Sequence, residues 1–181
     1  MMKLIILDRD GVINQDSDDY VKSVDEWQPI VGSIEAIAKL SMNDYHIVVA
    51  TNQSGIARGF FDIDTLNQMH DKMHKLVNDA GGAIDAVLYC PHGPDEGCDC
   101  RKPKAGMYKD VGERLRINLK GVPVVGDSLR DLQAADAVGA RPLLVRTGKG
   151  ERTIAKLGDD LGYPVFDDLA AVVEMLLQEE G

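Results

Sequence analysis

A chain of 181 residues with 44% hydrophobic content is long enough for one well-buried core and short for two independent domains, so residues 1–181 read as a single domain. Its 30 acidic and 20 basic residues give a formal net charge of −10, which argues against nucleic acid or an anionic membrane surface as a main partner. No run approaches the roughly 20 apolar residues of a membrane span, and the first residues lack a signal-peptide pattern; the expectation is a cytoplasmic monomer acting on a small molecule.

Lys3-Leu4-Ile5-Ile6-Leu7 reads as a short buried strand, with Asp8-Arg9-Asp10-Gly11 directly behind it. Two carboxylates one residue apart in a tight loop raise each other's pKa unless a cation sits between them. The end of a strand in an α/β sheet is where such a site belongs. Residues 11–29 form the longest irregular stretch, and their Asp16, Asp18, Asp19, Tyr20 and Trp27 are expected to fold over the strand ends toward a ligand.

Ser33 is expected to cap a helix carrying Ile34, Ile37, Ala38 and Leu40. A second strand over His46–Ala50 is followed by Thr51-Asn52-Gln53. Asp62 or Asp64 can cap a helix whose Leu66, Met69, Met73, Leu76 and Val77 form an apolar stripe. One helix and a loop are all that separate Asp10 from the second strand, so no lid domain fits there. Further strands are expected over Ile84–Tyr89, Val122–Val125 and Pro142–Val145, and helices over Met107–Arg116, Leu129–Val138, Arg152–Leu157 and Asp168–Gln178. This alternation predicts an α/β, three-layer, Rossmann-like fold with a mostly parallel sheet and helices on both faces.

Three features along the chain need a separate reading. His70 and His74 lie four apart, but the acidic residue between them is Asp71 and no third ligand is evident, so both read as the border of the core-facing stripe rather than a metal site. Thr147-Gly148-Lys149-Gly150 lacks the upstream glycine of a P-loop and reads as a turn after the fifth strand, near a ligand phosphate. All three cysteines fall between Cys90 and Cys100. With His92 they make Cys-x-His, a loop over residues 93–97, then Cys-x-Cys. Four soft or borderline donors suit a tetrahedral, structural Zn²⁺ held by Cys90, His92, Cys98 and Cys100, stiffening the loop that delivers Arg101 and Lys102.

The polar residues behind successive strands converge on one sheet edge: Asp8 and Asp10, Thr51, Lys102, and Asp127 with Asp131. That set is what phosphoryl transfer through an aspartyl-phosphate requires. Asp8 would attack phosphorus and Asp10 would move the proton, which demands that the two acids hold different protonation states. Thr51 and Lys102 would bind the equatorial oxygens, and Mg²⁺ held by Asp8, Asp127 and the backbone carbonyl of Asp10 would offset the repulsion. Asp131 also reads as an ordinary first-turn acid of a helix.

This ordered set resembles the haloacid dehalogenase superfamily of phosphatases: Asp-x-Asp after strand one, Thr or Ser after strand two, a Lys, then Gly-Asp-x-x-x-Asp. The resemblance spans Leu4 to Asp131 and implies a capless fold with a zinc-binding loop. Taken with Thr51-Asn52-Gln53-Ser54-Gly55-Ile56-Ala57-Arg58-Gly59 and Cys100-Arg101-Lys102-Pro103, it is closest to the branch that takes a sugar bisphosphate. By position, Asn52 and Arg101 would contact substrate, and Asp19, Tyr20, Gln53, Ser54 and Arg58 would line the sugar site. A guanidinium at Arg101 suits the second phosphate, which it can bind with two parallel hydrogen bonds. Ser128 stands where some relatives carry Lys, the zinc loop is shorter than in many, and the preferred anomer is left open.

Two rivals are separable. A histidinol-phosphate phosphatase shares the motif order but would need acidic groups around a cationic substrate. A phosphoacceptor signalling domain keeps its phosphorylated Asp after the third strand, where this chain has the zinc loop.

Overall fold

The computed structural model describes residues 2–181. Six strands form one sheet: β1 (Lys3–Leu7), β2 (Tyr45–Asn52), β3 (Ala86–Cys90), β4 (Pro123–Gly126), β5 (Arg141–Val145) and β6 (Val165–Phe166), in the order β3-β2-β1-β4-β5-β6. Every pairing is parallel. The helices are α1 (Ser33–Met42), α2 (Ile63–Asp79), α3 (Gly106–Leu115), α4 (Leu129–Asp136), α5 (Gly150–Leu157) and α6 (Leu169–Glu179).

A parallel sheet is buried on both faces, so its strands read as continuous apolar runs. One face carries Ile5, Leu7, Ile47 and Val49 against α1, α2 and α6, with Trp27 and Met69 in the same cluster. The other carries Leu4, Ile6, Val48 and Ala50 against α3 and α4. Alternation along β1 thus feeds two cores.

The chain winds outward through β1, β2 and β3, then returns to add β4 on the other side of β1. That reversal opens a crevice at the carboxyl ends of β1 and β4, where ligands bind in such sheets. Asp8 N donates to Val125 O across it at 2.9 Å. The link from β1 to β2 contains α1 and no inserted sheet or helical bundle, so loops alone cover this edge. Among the described residues no helix is long and apolar enough to cross a membrane.

Several expectations shift. β2 continues through Thr51 and Asn52, paired with Tyr89 and Cys90, so these two residues end the strand rather than follow it. β6 was not expected, because two residues present no period to read. Ser33 is the first residue of α1 and donates its hydroxyl to Val12 O at 2.8 Å, with Gly32 in the cap position; it ties the helix to the loop after β1 instead of capping. Asp62 does cap α2, accepting from Thr65 N at 2.8 Å. Trp27 belongs to the core, wholly buried, and does not reach toward a ligand.

Candidate active site

The crevice is a cavity lined by Asp8, Asp10, Asn52, Gln53, Lys102, Asp127 and Asp131 at its floor, with Asp16, Ser17, Asp18, Tyr20, Val21, Ser54, Arg101, Ser128, Arg130 and Lys149 around them. Five separate segments of the chain therefore meet there. Thr51, Asp19 and Arg58 lie outside the lining. Thr51 is buried with its Oγ1 accepting from Gln53 Nε2 at 2.9 Å. Arg58 stacks over the Tyr20 ring at 5.8 Å, and Phe60 meets the same ring edge-on, so Arg58 holds Tyr20 at the rim.

Asp8 and Asp10 sit in opposite electrostatic settings. Asp8 Oδ1 accepts from Arg9 N at 2.8 Å and pairs with Lys102 Nζ at 3.1 Å. Burial and then the Asp131 charge push its pKa up to about 7, against the pull of Lys102. Asp10 is buried too, which alone would raise it, but the Arg9 guanidinium and the Asn14 and Gln53 amides hold it below its ordinary value. Arg9 Nη2 and Nε reach Asp10 Oδ1 at 2.8 and 3.2 Å, Asn14 Nδ2 reaches the same oxygen at 2.8 Å, and Gln53 Nε2 reaches Oδ2 at 2.9 Å.

Lys102 is the cation of the floor. It is 2% exposed, and its Nζ donates to Ala50 O at 2.8 Å and pairs with Asp131 Oδ1 at 2.6 Å. Burial would lower its pKa; Asp131 and Asp8 outweigh that and raise it. Asn52 fastens the lysine in place, its Nδ2 donating to Lys102 O and its Oδ1 accepting from Lys102 N, both at 3.1 Å. Asn52, expected to contact substrate, thus lines the cavity and also clasps β2 to the 101–102 loop.

Asp131 serves both readings at once. Its Oδ2 accepts from Ser128 N and Oγ at 3.1 and 2.8 Å, as a first-turn acid does, while Oδ1 faces Lys102. Asp127 is raised well above its ordinary value by burial and by Asp8 and Asp131. Its Oδ2 accepts from Lys149 N at 2.7 Å. Gly11 and Gly148 crowd this carboxylate: a Cβ on either would stand 2.0 or 2.3 Å from Asp127 Oδ2, and both have positive φ, 83° and 59°. Only glycine fits.

The donor sets match two metals. Ligand oxygens of Asp8, Asp127 and Asp131 lie within 4.8 Å of one another, hard donors whose mutual repulsion, seen in the raised pKa values of Asp8 and Asp127, a hard cation relieves. Of the three, Asp131 is already committed to Lys102. The second set comprises Cys90, Cys98 and Cys100 Sγ with His92 Nδ1, all three cysteines being free thiols. Cys90 Sγ lies 3.1, 3.6 and 3.5 Å from Cys100 Sγ, Cys98 Sγ and His92 Nδ1, and His92 Nδ1 lies 3.3 Å from Cys100 Sγ. Those edges are close to the roughly 3.7 Å expected for ligands about 2.3 Å from a tetrahedral centre. The cluster fits Zn²⁺. Arg101 Nη1 donates to His92 O at 3.3 Å, so this loop and the cavity wall are one piece.

The sequence assigns no role to Arg9, Asn14 or Arg130, whereas Lys149, in the turn expected near a ligand phosphate, does line the cavity. Arg9 and Asn14 belong to the segment behind β1 and could have been suspected from it. Arg130 carried one signal: a cation in the first turn of α4, where the helix dipole disfavours it.

The model of the HAD-hydrolase-like family matches residues 99–172. The chain is 60% identical to the D-glycero-beta-D-manno-heptose-1,7-bisphosphate 7-phosphatase of Bordetella bronchiseptica, covering 98% of this chain and 99% of that protein. The enzyme of the same name from Pseudomonas aeruginosa is 57% identical, with coverage of 97% and 98%. Among solved structures, the D,D-heptose 1,7-bisphosphate phosphatase of B. bronchiseptica, complexed with magnesium and phosphate, superposes with a TM-score of 0.96 over 98% of this chain and 99% of that one, at 60% identity.

Proposed function

Because the chain belongs to the D-glycero-β-D-manno-heptose-1,7-bisphosphate 7-phosphatase family of HAD-like hydrolases, a phosphoric monoester hydrolase family, we propose how its own residues divide that reaction. Asp8 is the nucleophile. Its Oδ1 is held by Arg9 N and Lys102, which leaves Oδ2 to attack the phosphorus at C7 as the bond to the C7 oxygen breaks. Asp10 gives the departing alkoxide its proton. A water then loses a proton to Asp10 and attacks the same phosphorus, releasing phosphate and restoring Asp8.

Of the Asp10 oxygens, Oδ1 takes three hydrogen bonds and Oδ2 one, from Gln53, so Oδ2 is the oxygen that exchanges the proton. A dianionic phosphate arriving beside it raises its proton affinity. Lys102 neutralises the equatorial oxygens. Thr51 Oγ1 accepts from Gln53, which frees its own proton for a phosphoryl oxygen, with only a 3.5 Å contact to Asn52 O in competition. Mg²⁺ held by Asp8, Asp127 and the Asp10 carbonyl would supply charge neutralisation at the phosphoryl group. Zn²⁺ at Cys90, His92, Cys98 and Cys100 would be structural.

The observation carrying a bisphosphate substrate is a pair of arginines in the lining of the cavity. Arg101 and Arg130 both line it, neither is ion-paired among the described residues, and burial and then Arg130 lower the Arg101 pKa. Two unpaired guanidiniums in a chain of net charge −10 suit the C1 phosphate. They do not suit the ammonium and imidazole of histidinol phosphate. The anomer is β, as in the names of the relatives. Tyr20, Ser17, Asp18 and Ser54 face the sugar. The protein acts as a single-domain cytoplasmic monomer, feeding nucleotide-activated heptose and lipopolysaccharide synthesis, with no nucleic-acid partner.

The test is phosphate release with Mg²⁺ from the β-heptose bisphosphate, the corresponding 7-monophosphate and histidinol phosphate. The bisphosphate is expected to have the highest kcat/KM, and faster turnover of histidinol phosphate overturns the assignment.

A further inference from the structure

His70 reads from the sequence as the border of an apolar helix face, yet its ring joins α2 to Arg9 in the segment behind β1. It is 7% exposed, one turn from Leu66 and beside Met69 and Met73 on the buried face of α2. Its Nε2 lies 3.2 Å from Arg9 Nη1. A guanidinium has only donors, so Nε2 is the acceptor and the ring is neutral, with its proton on Nδ1. Burial and the Arg9 charge agree, pushing the His70 pKa down to about 3.

Arg9 is fully buried and spans two partners. Its Nη2 and Nε hold Asp10 Oδ1 at 2.8 and 3.2 Å; its Nη1 holds His70. A planar fork has a fixed geometry, so anchoring one prong sets the direction of the other two. Without an acceptor on α2, Nη1 becomes a charged, buried and unsatisfied donor, and the guanidinium turns to find another. Asp10 then loses the brace that aims Oδ2 into the cavity.

We infer that His70 is a positioning residue for the reaction, acting through Arg9 to hold the Asp10 carboxylate in line with the leaving oxygen. The inference rests on Asp10 being the acid–base group. A misplacement of the order of 1 Å costs about a hundredfold in rate.

The experiment compares wild type, His70→Met, His70→Gln and Asp10→Asn as Mg²⁺-loaded enzymes. Methionine fills the space beside Met69 and Met73 without an acceptor, whereas the glutamine oxygen reaches the place of Nε2. H70M is expected to lose about ten- to a hundredfold in kcat on the heptose bisphosphate, with KM within about twofold, while H70Q recovers most of it. The loss in kcat/KM should be smaller for p-nitrophenyl phosphate, whose leaving group departs without a proton; a general packing defect would lower both alike.

If H70M does not fold, His70→Asn replaces it, because the shorter amide presents its oxygen at the Nδ1 place and cannot reach Arg9. H70M or H70N at wild-type kcat, or H70Q as impaired as either of them, overturns the role of His70. D10N at wild-type kcat overturns the acid–base reading beneath it. A dead D10N beside a wild-type H70M removes the His70 inference alone.

Discussion

The zinc-type loop and the acid floor meet at Arg101 and Lys102, yet they are built in opposite ways. The loop gathers its four donors from Cys90 to Cys100, a single stretch of chain, so its geometry is almost a local property. The floor gathers Asp8, Lys102, Asp127 and Asp131 from three remote segments, and only the parallel sheet brings them together. The loop's donors are soft and suit a cation that stays. The floor is a set of hard, crowded anions already partly satisfied by a buried lysine, which suits a cation that comes with an anionic ligand. The two regions should therefore respond differently to the same insult.

The sharpest break should come at the floor. Asp8→Asn is expected to lower kcat by about four orders of magnitude or more while keeping the fold, since it removes the attacking oxygen and relieves repulsion. Steady-state turnover together with a melting curve checks this, and the melting temperature should hold or rise. Lys102→Met comes next, with a loss of about two to three orders in kcat. It should also melt lower than wild type, because it leaves Asp131 and Asp8 as buried carboxylates without their partner.

At the loop the order of effects inverts. Cys100→Ser should release zinc, measured as metal content per chain, and lower the melting temperature more than any floor variant. Its loss in kcat should be only about ten- to a hundredfold, because the chemistry stays intact and only the aim of Arg101 and Lys102 loosens. A C100S enzyme that keeps its zinc and melting point would erase the contrast.

That contrast also explains what could be read from the sequence. The loop declared itself through spacing alone. The floor was legible because strand ends in an α/β sheet converge, which turns a list of polar residues behind Leu7, Ala50 and Val125 into a site. Contacts that depend on side-chain reach across the sheet were not legible. Asn52 reads as a substrate contact and does line the cavity, but nothing in the sequence reports that it also clasps the Lys102 backbone. Trp27 looked like a lid residue and is core. His70 had the period of the apolar face, and nothing in a period reports that one ring nitrogen meets Arg9.

Two smaller effects sharpen the picture. Arg130→Gln should lower the ratio of kcat/KM for bisphosphate over monophosphate by about tenfold, and R130K should lower it less; an unchanged ratio removes Arg130 from the second-phosphate wall. The smallest effect is on stability. The folded pKa of His70 is depressed, to about 3, so its contribution is fully present above the ordinary value near 6.5 and is lost as pH falls toward 3. Urea midpoints of wild type and H70Q should therefore converge or cross as the pH is lowered from 7 to 4, the wild type falling more steeply.

The central claim is that Asp8 carries the phosphoryl group from the C7 oxygen to water. Acid quenching of the enzyme during turnover of the heptose bisphosphate, followed by peptide mass mapping, reads it directly. The account predicts a phosphoryl adduct on Asp8, absent in D8N. An adduct on any other side chain, or undiminished turnover by D8N, contradicts it.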